Sequence, residues 1–373
     1  MPMRLTALIT GLILAPCAAA TPRVVPDANA QGQPQAYHAS GRSVADASGV
    51  GVRYQWPGQV FQTHIQGDSI LFDLGAGDVI AHVQVDGERI TSLSRPAAGR
   101  YRVEDLGPGT HTVSVQIATE HQAGAKHFGG FFAPDGVRAL PLARPQRQIE
   151  FIGDSHTVGY GSISSQRECT EEQVWESTDN TVAYGPLLAA RFQADYRVNA
   201  ISGRGIVRNY NGFAADSLPQ AYPWLLLDHS APAPSEAHWQ PDLVVVALGT
   251  NDFSTALNPG ERWADRQALR DDYVSSYVQF AKDLRQRYPA AELLLWSTDL
   301  LDGEISEQVS RVEAQLRSQG EQRLSRIVLD GLAMDACHAH PSLADHQRIA
   351  ARIAEQIGRL DLWKDSAAIP ATD

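Results

Sequence analysis

The chain has 373 residues, enough for two domains that each bury a core of their own. Its 43 acidic and 31 basic residues give a formal charge of −12. The two signs are interspersed and no basic run occurs, which argues against a nucleic-acid phosphate backbone as partner.

Residues 1–20 read as an export signal. Met1 to Arg4 carries the positive charge, Leu5 to Leu14 is mostly apolar, and Ala18-Ala19-Ala20 offers small residues for cleavage. The apolar run is too short for a permanent membrane span. Cys17 is a candidate for lipid attachment, but Pro16 ahead of it departs from the small residue expected there, so a secreted or periplasmic product is the expectation. Cleavage after Ala20 leaves Cys169 and Cys337 in an oxidising compartment, where a single disulfide between them is the default.

Residues 36–145 are strand-like. The runs "SILFDL", "VIAHVQVDG", "RYRVEDLGPG" and "THTVSVQIA" are punctuated by Asp86-Gly87 and Gly107-Pro108-Gly109, which is turn chemistry. Strands at this spacing without helical periodicity predict an antiparallel β-sandwich. The pattern changes at Arg147, and residues 147–363 form the second predicted domain. "RQIEFIGDS", "DYRVNAISG", "PDLVVVALGTND", "AELLLWSTD" and "SRIVLDG" are apolar strands of the kind covered on both faces. "AYGPLLAARF", "RDDYVSSYVQFAKDLRQRY" and "LADHQRIAARIAEQIGRL" have helical spacing, and "SAPAPSEA" at 230–237 is a loop. The alternation predicts an α/β fold with a doubly wound parallel sheet, whose site lies beyond the carboxyl ends of its strands. Ser155, Gly203 to Gly205, Thr250-Asn251-Asp252 and Asp299 all fall there.

Each of these residues has a plain structural reading beside a chemical one. Ser155 in "FIGDSHTVGYG" is a hydroxyl nucleophile if a base takes its proton, or part of a helix cap. No G-x-S-x-G occurs, so the nucleophile elbow of the α/β-hydrolases is absent. Gly203 and Gly205 in "ISGRGIVRNYNG" either aim a backbone N–H at an oxyanion or permit a turn. Asn251 in "LGTNDF" is an oxyanion donor or an Asx turn. In "DACHAHPSLADHQRIA", His346 falls within a helix as a packing or surface residue, whereas His340, extended ahead of Pro341, suits a general base. Cys337, His338 and His340 are also chemically suitable zinc ligands, yet no second C-x-x-C or histidine pair completes a site, so neither metal nor cofactor is expected.

Gly153-Asp154-Ser155, Gly205, Gly249-Thr250-Asn251-Asp252 and His340-Pro341, in that order, resemble the four blocks of the SGNH or GDSL hydrolase superfamily. With "WPGQVF", "VQVDG" and "GTHTVSV" upstream, the chain is similar to carbohydrate esterase family 2 over nearly all of its mature length. The resemblance implies a flavodoxin-like catalytic sheet preceded by a jelly-roll domain. It also implies metal-free deacetylation of O-acetylated plant polysaccharides such as xylan or glucomannan. Ser155 would attack the acetyl carbonyl, His340 would carry the proton, and the Ser155 N–H, the Gly205 N–H and the Asn251 side chain would hold the oxyanion, with Gly203 the less favoured glycine. Cys337 matches a family cysteine that precedes the histidine, so its bond to Cys169 would tie the base loop to the nucleophile segment.

The acid of the triad departs from the family pattern, because Cys337 and His338 occupy the positions where an aspartate is expected. A Ser155–His340 dyad oriented by a main-chain oxygen is therefore expected, with His338 or Asp335 as possible helpers. Tyr210, Tyr222, Trp224 and Trp263 are candidates for stacking on pyranose rings. The expected partner is an acetylated polysaccharide or oligosaccharide and the expected state is a monomer. Another acyl substrate, such as a lipid, a thioester or peptidoglycan acetyl, and a carbohydrate-binding module with weak catalysis are the alternatives.

Overall fold

A computed structural model describes residues 21–363. The predicted export signal and Cys17 lie outside the described residues. The amino-terminal part is a sandwich of one seven-stranded and one six-stranded sheet whose strands pair antiparallel. Val60–Gln66 shows how sequence sets its faces: alternate residues Phe61, Thr63 and Ile65 are buried, the period of two that a pleated strand imposes. Between the sheets, Phe61 stacks on Phe128 with centroids 4.1 Å apart, and Phe131 meets Phe128 edge-on.

Asp86 and Gly87, at φ +52° and +90°, form the tight turn between strands Ile80–Val85 and Glu88–Ser94. Gly107-Pro108-Gly109 instead carries the chain from one sheet to the other, since Gly99–Glu104 and Thr110–Ile117 belong to different sheets. The sandwich also takes in chain upstream of residue 36. Arg23–Pro26 pairs with Gly99–Glu104, and Gln33–Gln35 pairs with Lys126–Ala133.

The second part is a five-stranded parallel sheet. In chain order its strands are Gln148–Gly153, Asp195–Ala200, Leu243–Ala247, Glu292–Thr298 and Leu324–Leu329; in space the second lies outside the first, followed by the third, fourth and fifth. Helices Tyr184–Phe192 and Leu343–Leu360 cover one face, and Arg266–Arg287 and Glu304–Ser318 the other. Leu343–Leu360 begins at a Ser342 capping box closed by Asp345 and buries Ile349, Ile353 and Ile357 at i, i+4 spacing. Strand order reverses between the first strand's two neighbours, so the loops after Gly153, Ala200 and Ala247 converge at that switch point. Among the described residues no helix is long and apolar enough to cross a membrane.

A polar plug joins the two parts. Arg42 of the sandwich, 1% exposed, donates to the Tyr222 carbonyl and pairs with Glu150 at 3.4 Å. Glu150 also accepts from Asn199 at 2.7 Å and from the Trp239 indole at 2.9 Å. Burial raises the Glu150 carboxyl, but the Arg42 charge and hydrogen bonds from Tyr222 and Trp239 outweigh it and hold its pKa below the usual value.

Candidate active site

The first strand of the parallel sheet ends at Gly153, where a Cβ would lie 2.0 Å from Thr157 Oγ1 and 3.0 Å from the Ala247 carbonyl. Only glycine permits that approach. Asp154 then caps a short helix, Ser155–Val158, by accepting the His156 N–H at 3.1 Å. The cap and the candidate nucleophile are thus adjacent residues, and the capping role of Asp154 leaves the Ser155 hydroxyl free of that task. As the helix's first residue, Ser155 leaves its N–H unused by any hydrogen bond among the described residues.

His340 Nε2 lies 2.8 Å from Ser155 Oγ. Its Nδ1 lies 2.9 Å from the Cys337 carbonyl and 3.1 Å from the His338 carbonyl. Carbonyls only accept, so Nδ1 carries the proton and Nε2 is left to accept from the serine hydroxyl. Burial pushes the imidazole down to about 4, against the two carbonyls, which raise it. Ahead of Pro341 the residue is extended, at φ −96° and ψ 164°. Asp335 does not help: it is exposed and forms no hydrogen bond with His340, whose Nδ1 is already taken by main chain.

The base loop is braced from below. Cys337 is bonded to Cys169, with Cα atoms 5.5 Å apart, so its sulfur is not available as a thiolate ligand. Among the described residues no group of three or more His, Cys, Asp or Glu is arranged to hold a metal ion. His338 lines the same cleft and makes no hydrogen bond to His340 with its ring, its Nε2 donating to the Cys169 carbonyl at 2.8 Å and its Nδ1 accepting from the Tyr160 hydroxyl at 3.1 Å. His338 and Ala339 both adopt left-handed φ, +52° and +57°, which folds the two carbonyls back toward Nδ1. His346 is buried in its helix and accepts the Tyr184 N–H at 3.2 Å.

Gly205 is turned away from the cleft. Its N–H donates to Asn209 Oδ1 at 3.3 Å, and its Cα is walled in by the Arg208 carbonyl and the Asp252 carboxylate. Gly203, at φ +81°, lines the cleft instead, and no hydrogen bond among the described residues uses its N–H. The agent of this arrangement is Asp252, which sequence reasoning left without a role. Its carboxylate accepts the N–H groups of Ile206, Val207 and Arg208 at 2.9–3.0 Å and so fixes the path of the loop. Burial raises Asp252 to about 6 and Asp154 to about 7. Asn251 lines the cleft and donates from Nδ2 to the Arg204 carbonyl at 2.8 Å and to Asp154 Oδ2 at 3.2 Å.

Ser155, Gly203, Asn251 and His340 share one cleft of about 360 Å³. Tyr210 stands at its rim, 53% exposed, beside Phe213 at 42%, which sequence reasoning did not single out. The other aromatic candidates lie elsewhere. Tyr222 is buried, drawn to Glu150 by its hydroxyl and covered by the Arg42 guanidinium 4.1 Å from its ring. Trp224 stacks on His229 at 4.5 Å, and Trp263 packs on the domain core with its indole donating to Asp272. Gln122, from the sandwich, also lines the cleft, and no local pattern in the sequence points to it.

The Carbohydrate esterase 2 N-terminal family matches residues 39–142, and the GDSL-like Lipase/Acylhydrolase family matches residues 151–355. An acetylxylan esterase / glucomannan deacetylase of Cellvibrio japonicus (strain Ueda107) is 42% identical over 322 residues, covering 85% of this chain and 89% of its own. A solved carbohydrate esterase, whose active site is described as displaying divergent catalytic and non-catalytic binding functions, superposes with a TM-score of 0.84 at 39% identity. The match covers 88% of this chain and 98% of that one. A carbohydrate esterase family 2 enzyme with a carbohydrate binding domain from Corynascus thermopiles (Myceliophthora fergusii) gives 0.75 at 26% identity, over 88% of this chain and 100% of that one. The matches span both the antiparallel sandwich and the parallel sheet, and the chain belongs to the GDSL hydrolases as a serine esterase of carbohydrate esterase family 2.

Proposed function

We propose that this carbohydrate esterase removes acetyl groups from polysaccharide hydroxyls, of the xylan or glucomannan class, through an acetyl-enzyme on Ser155. The observation that carries the reading is the 2.8 Å contact of Ser155 Oγ with His340 Nε2, while the opposite ring nitrogen rests on two carbonyls. Ser155 Oγ attacks the acetyl carbon as Nε2 takes its proton. The carbonyl oxygen becomes an oxyanion held by the unused N–H groups of Ser155 and Gly203 and by Asn251 Nδ2, which releases its longer contact, to Asp154, to do so. Collapse expels the sugar alkoxide, which takes the proton from His340. Water, deprotonated by the same nitrogen, attacks the acetyl-serine; the second tetrahedral intermediate collapses by breaking the Oγ–acyl bond, Ser155 Oγ takes the proton back from Nε2, and acetate leaves.

With no carboxylate on Nδ1, the imidazolium formed at each step is stabilised by carbonyl dipoles alone, which lowers the rate without abolishing it. The exposed Tyr210 offers a face for a pyranose ring at the rim. The Cys169–Cys337 disulfide supports export through the predicted signal. The test is acetate release from acetylated xylan, acetylated glucomannan and an aryl acetate. We expect activity on all three and a loss of at least about a thousandfold in Ser155→Ala. Polysaccharide binding without acetate release would assign a binding module instead, and activity confined to long acyl chains would move the substrate to lipid.

A further inference from the structure

The reaction proposed above needs the Gly203 N–H to face the scissile carbonyl, and the following inference rests on that reading. The Ser202–Gly203 peptide lies beyond the end of its strand at Ala200, in a loop where Gly203 has φ +81°. A peptide plane beside a glycine rotates at little cost, so an oxyanion donor placed there needs an external hold.

That hold comes from the other domain. Glu120 Oε1 accepts the Ser202 N–H at 2.7 Å, and Gln122 Nε2 donates to the Ser202 carbonyl at 3.1 Å. Gln122 Nε2 also donates to Glu120 Oε1 at 3.1 Å, closing a ring of three contacts around one residue's backbone. Among the described residues no peptide is cis, so the Gly203 N–H points opposite to the Ser202 carbonyl that Gln122 holds. Between the two polar residues His121 is buried, with its ring edge-on to Tyr54 at 5.8 Å, which anchors this segment in the sandwich core. The same segment is seated on the catalytic domain two residues earlier, where the Ala118 carbonyl accepts the Asn180 N–H at 2.8 Å.

We propose that the sandwich domain sets the oxyanion hole, with Glu120 and Gln122 as positioning residues that lock the Ser202–Gly203 peptide with its N–H toward the cleft. The amino-terminal domain is then part of the catalytic apparatus, acting on the rate of the acyl transfer and not only on polysaccharide binding.

The experiment compares Gln122→Met, Glu120→Ala and Glu120→Gln with the unsubstituted protein on a small aryl acetate, which is too short to reach the rim, with thermal midpoints recorded alongside. Gln122→Met keeps the side-chain volume and removes the donor, and loss of an aligned oxyanion donor should lower kcat about 10- to 100-fold with KM within about twofold. Glu120→Ala should do the same, whereas Glu120→Gln keeps an acceptor for the Ser202 N–H and should retain most of kcat. Gln122 is exposed, so its variant remains informative even if Glu120→Ala fails to fold. A fall in kcat of less than about fivefold in Gln122→Met, or a rise in KM with kcat unchanged, overturns the proposal. That outcome is distinct from failure of the acyl-enzyme reading, which shows as activity surviving in Ser155→Ala.

Discussion

Tyr160 packs against His340 and bonds its neighbour: its hydroxyl lies 3.1 Å from His338 Nδ1, and its ring lies over that of His340 at a centroid distance of 4.3 Å. The His338 carbonyl in turn accepts from His340 Nδ1, so the tyrosine fixes the residue that orients the base. Tyr160→Phe keeps the ring and deletes one neutral hydrogen bond, about 1 kcal/mol, or about fivefold in rate if all of it serves orientation. The expected outcome is a three- to tenfold fall in kcat with KM for an aryl acetate unchanged. An unaltered kcat would show that the Cys169 and Arg167 carbonyls hold His338 without the tyrosine hydroxyl.

The pH profile should report the missing carboxylate. An acid beside Nδ1 would raise the imidazole, whereas here burial dominates and the carbonyls only partly oppose it, leaving His340 at about 4. A general base works in its neutral form, so activity is present above that value and lost as pH falls through it. We expect kcat/KM for an aryl acetate to hold its plateau down to about pH 5, with an acid limb centred near 4. A limb centred at 6.5 or above would place the base in a far wetter or more acidic setting than the structure gives it.

The parallel sheet was legible because its strands are short, continuous apolar runs bounded by turns, and the carboxyl-terminal helix because Ile349, Ile353 and Ile357 keep helical spacing behind a serine cap. Helix Glu304–Ser318 escaped notice. Its apolar face, Ile305, Val309, Val312 and Leu316, keeps helical spacing and was there to be read, but it opens on Gly303 without a side-chain cap to mark its start. Strands Arg23–Pro26 and Gln33–Gln35 are four and three residues long, each contains a proline, and partner strands far along the sequence define them.

In the site, Ser155, Asn251 and His340 could be read because their motifs, in chain order, resemble those of a known hydrolase family and each lies near an element end, where an open sheet gathers its loops. The choice between Gly203 and Gly205 could not. It is decided by Asp252 and Asn209 drawing in the N–H groups of residues 205–208, contacts that no spacing rule encodes. Tyr222 was misplaced for the same reason, since the buried Glu150 claims its hydroxyl.

The disulfide is the last point at which structure and chemistry can be separated. It links residues 168 apart, for which chain-entropy reasoning gives about 5 kcal/mol, at the upper end of the 2–5 kcal/mol found for native bonds. The same two segments are also joined by hydrogen bonds: the Arg167 carbonyl accepts the His338 N–H at 2.7 Å, the Arg167 guanidinium donates to the Ala333 carbonyl at 2.8 Å, and His338 Nε2 donates to the Cys169 carbonyl. Removing sulfur therefore weakens the unfolded-state constraint more than it moves the base. The double variant Cys169→Ala, Cys337→Ala should lose about 2–5 kcal/mol in guanidinium unfolding yet keep kcat within about tenfold, assayed well below its melting midpoint. A hundredfold loss of kcat at unchanged stability would reverse the assignment and make the bond, not the hydrogen bonds around it, the element that holds His340 against Ser155.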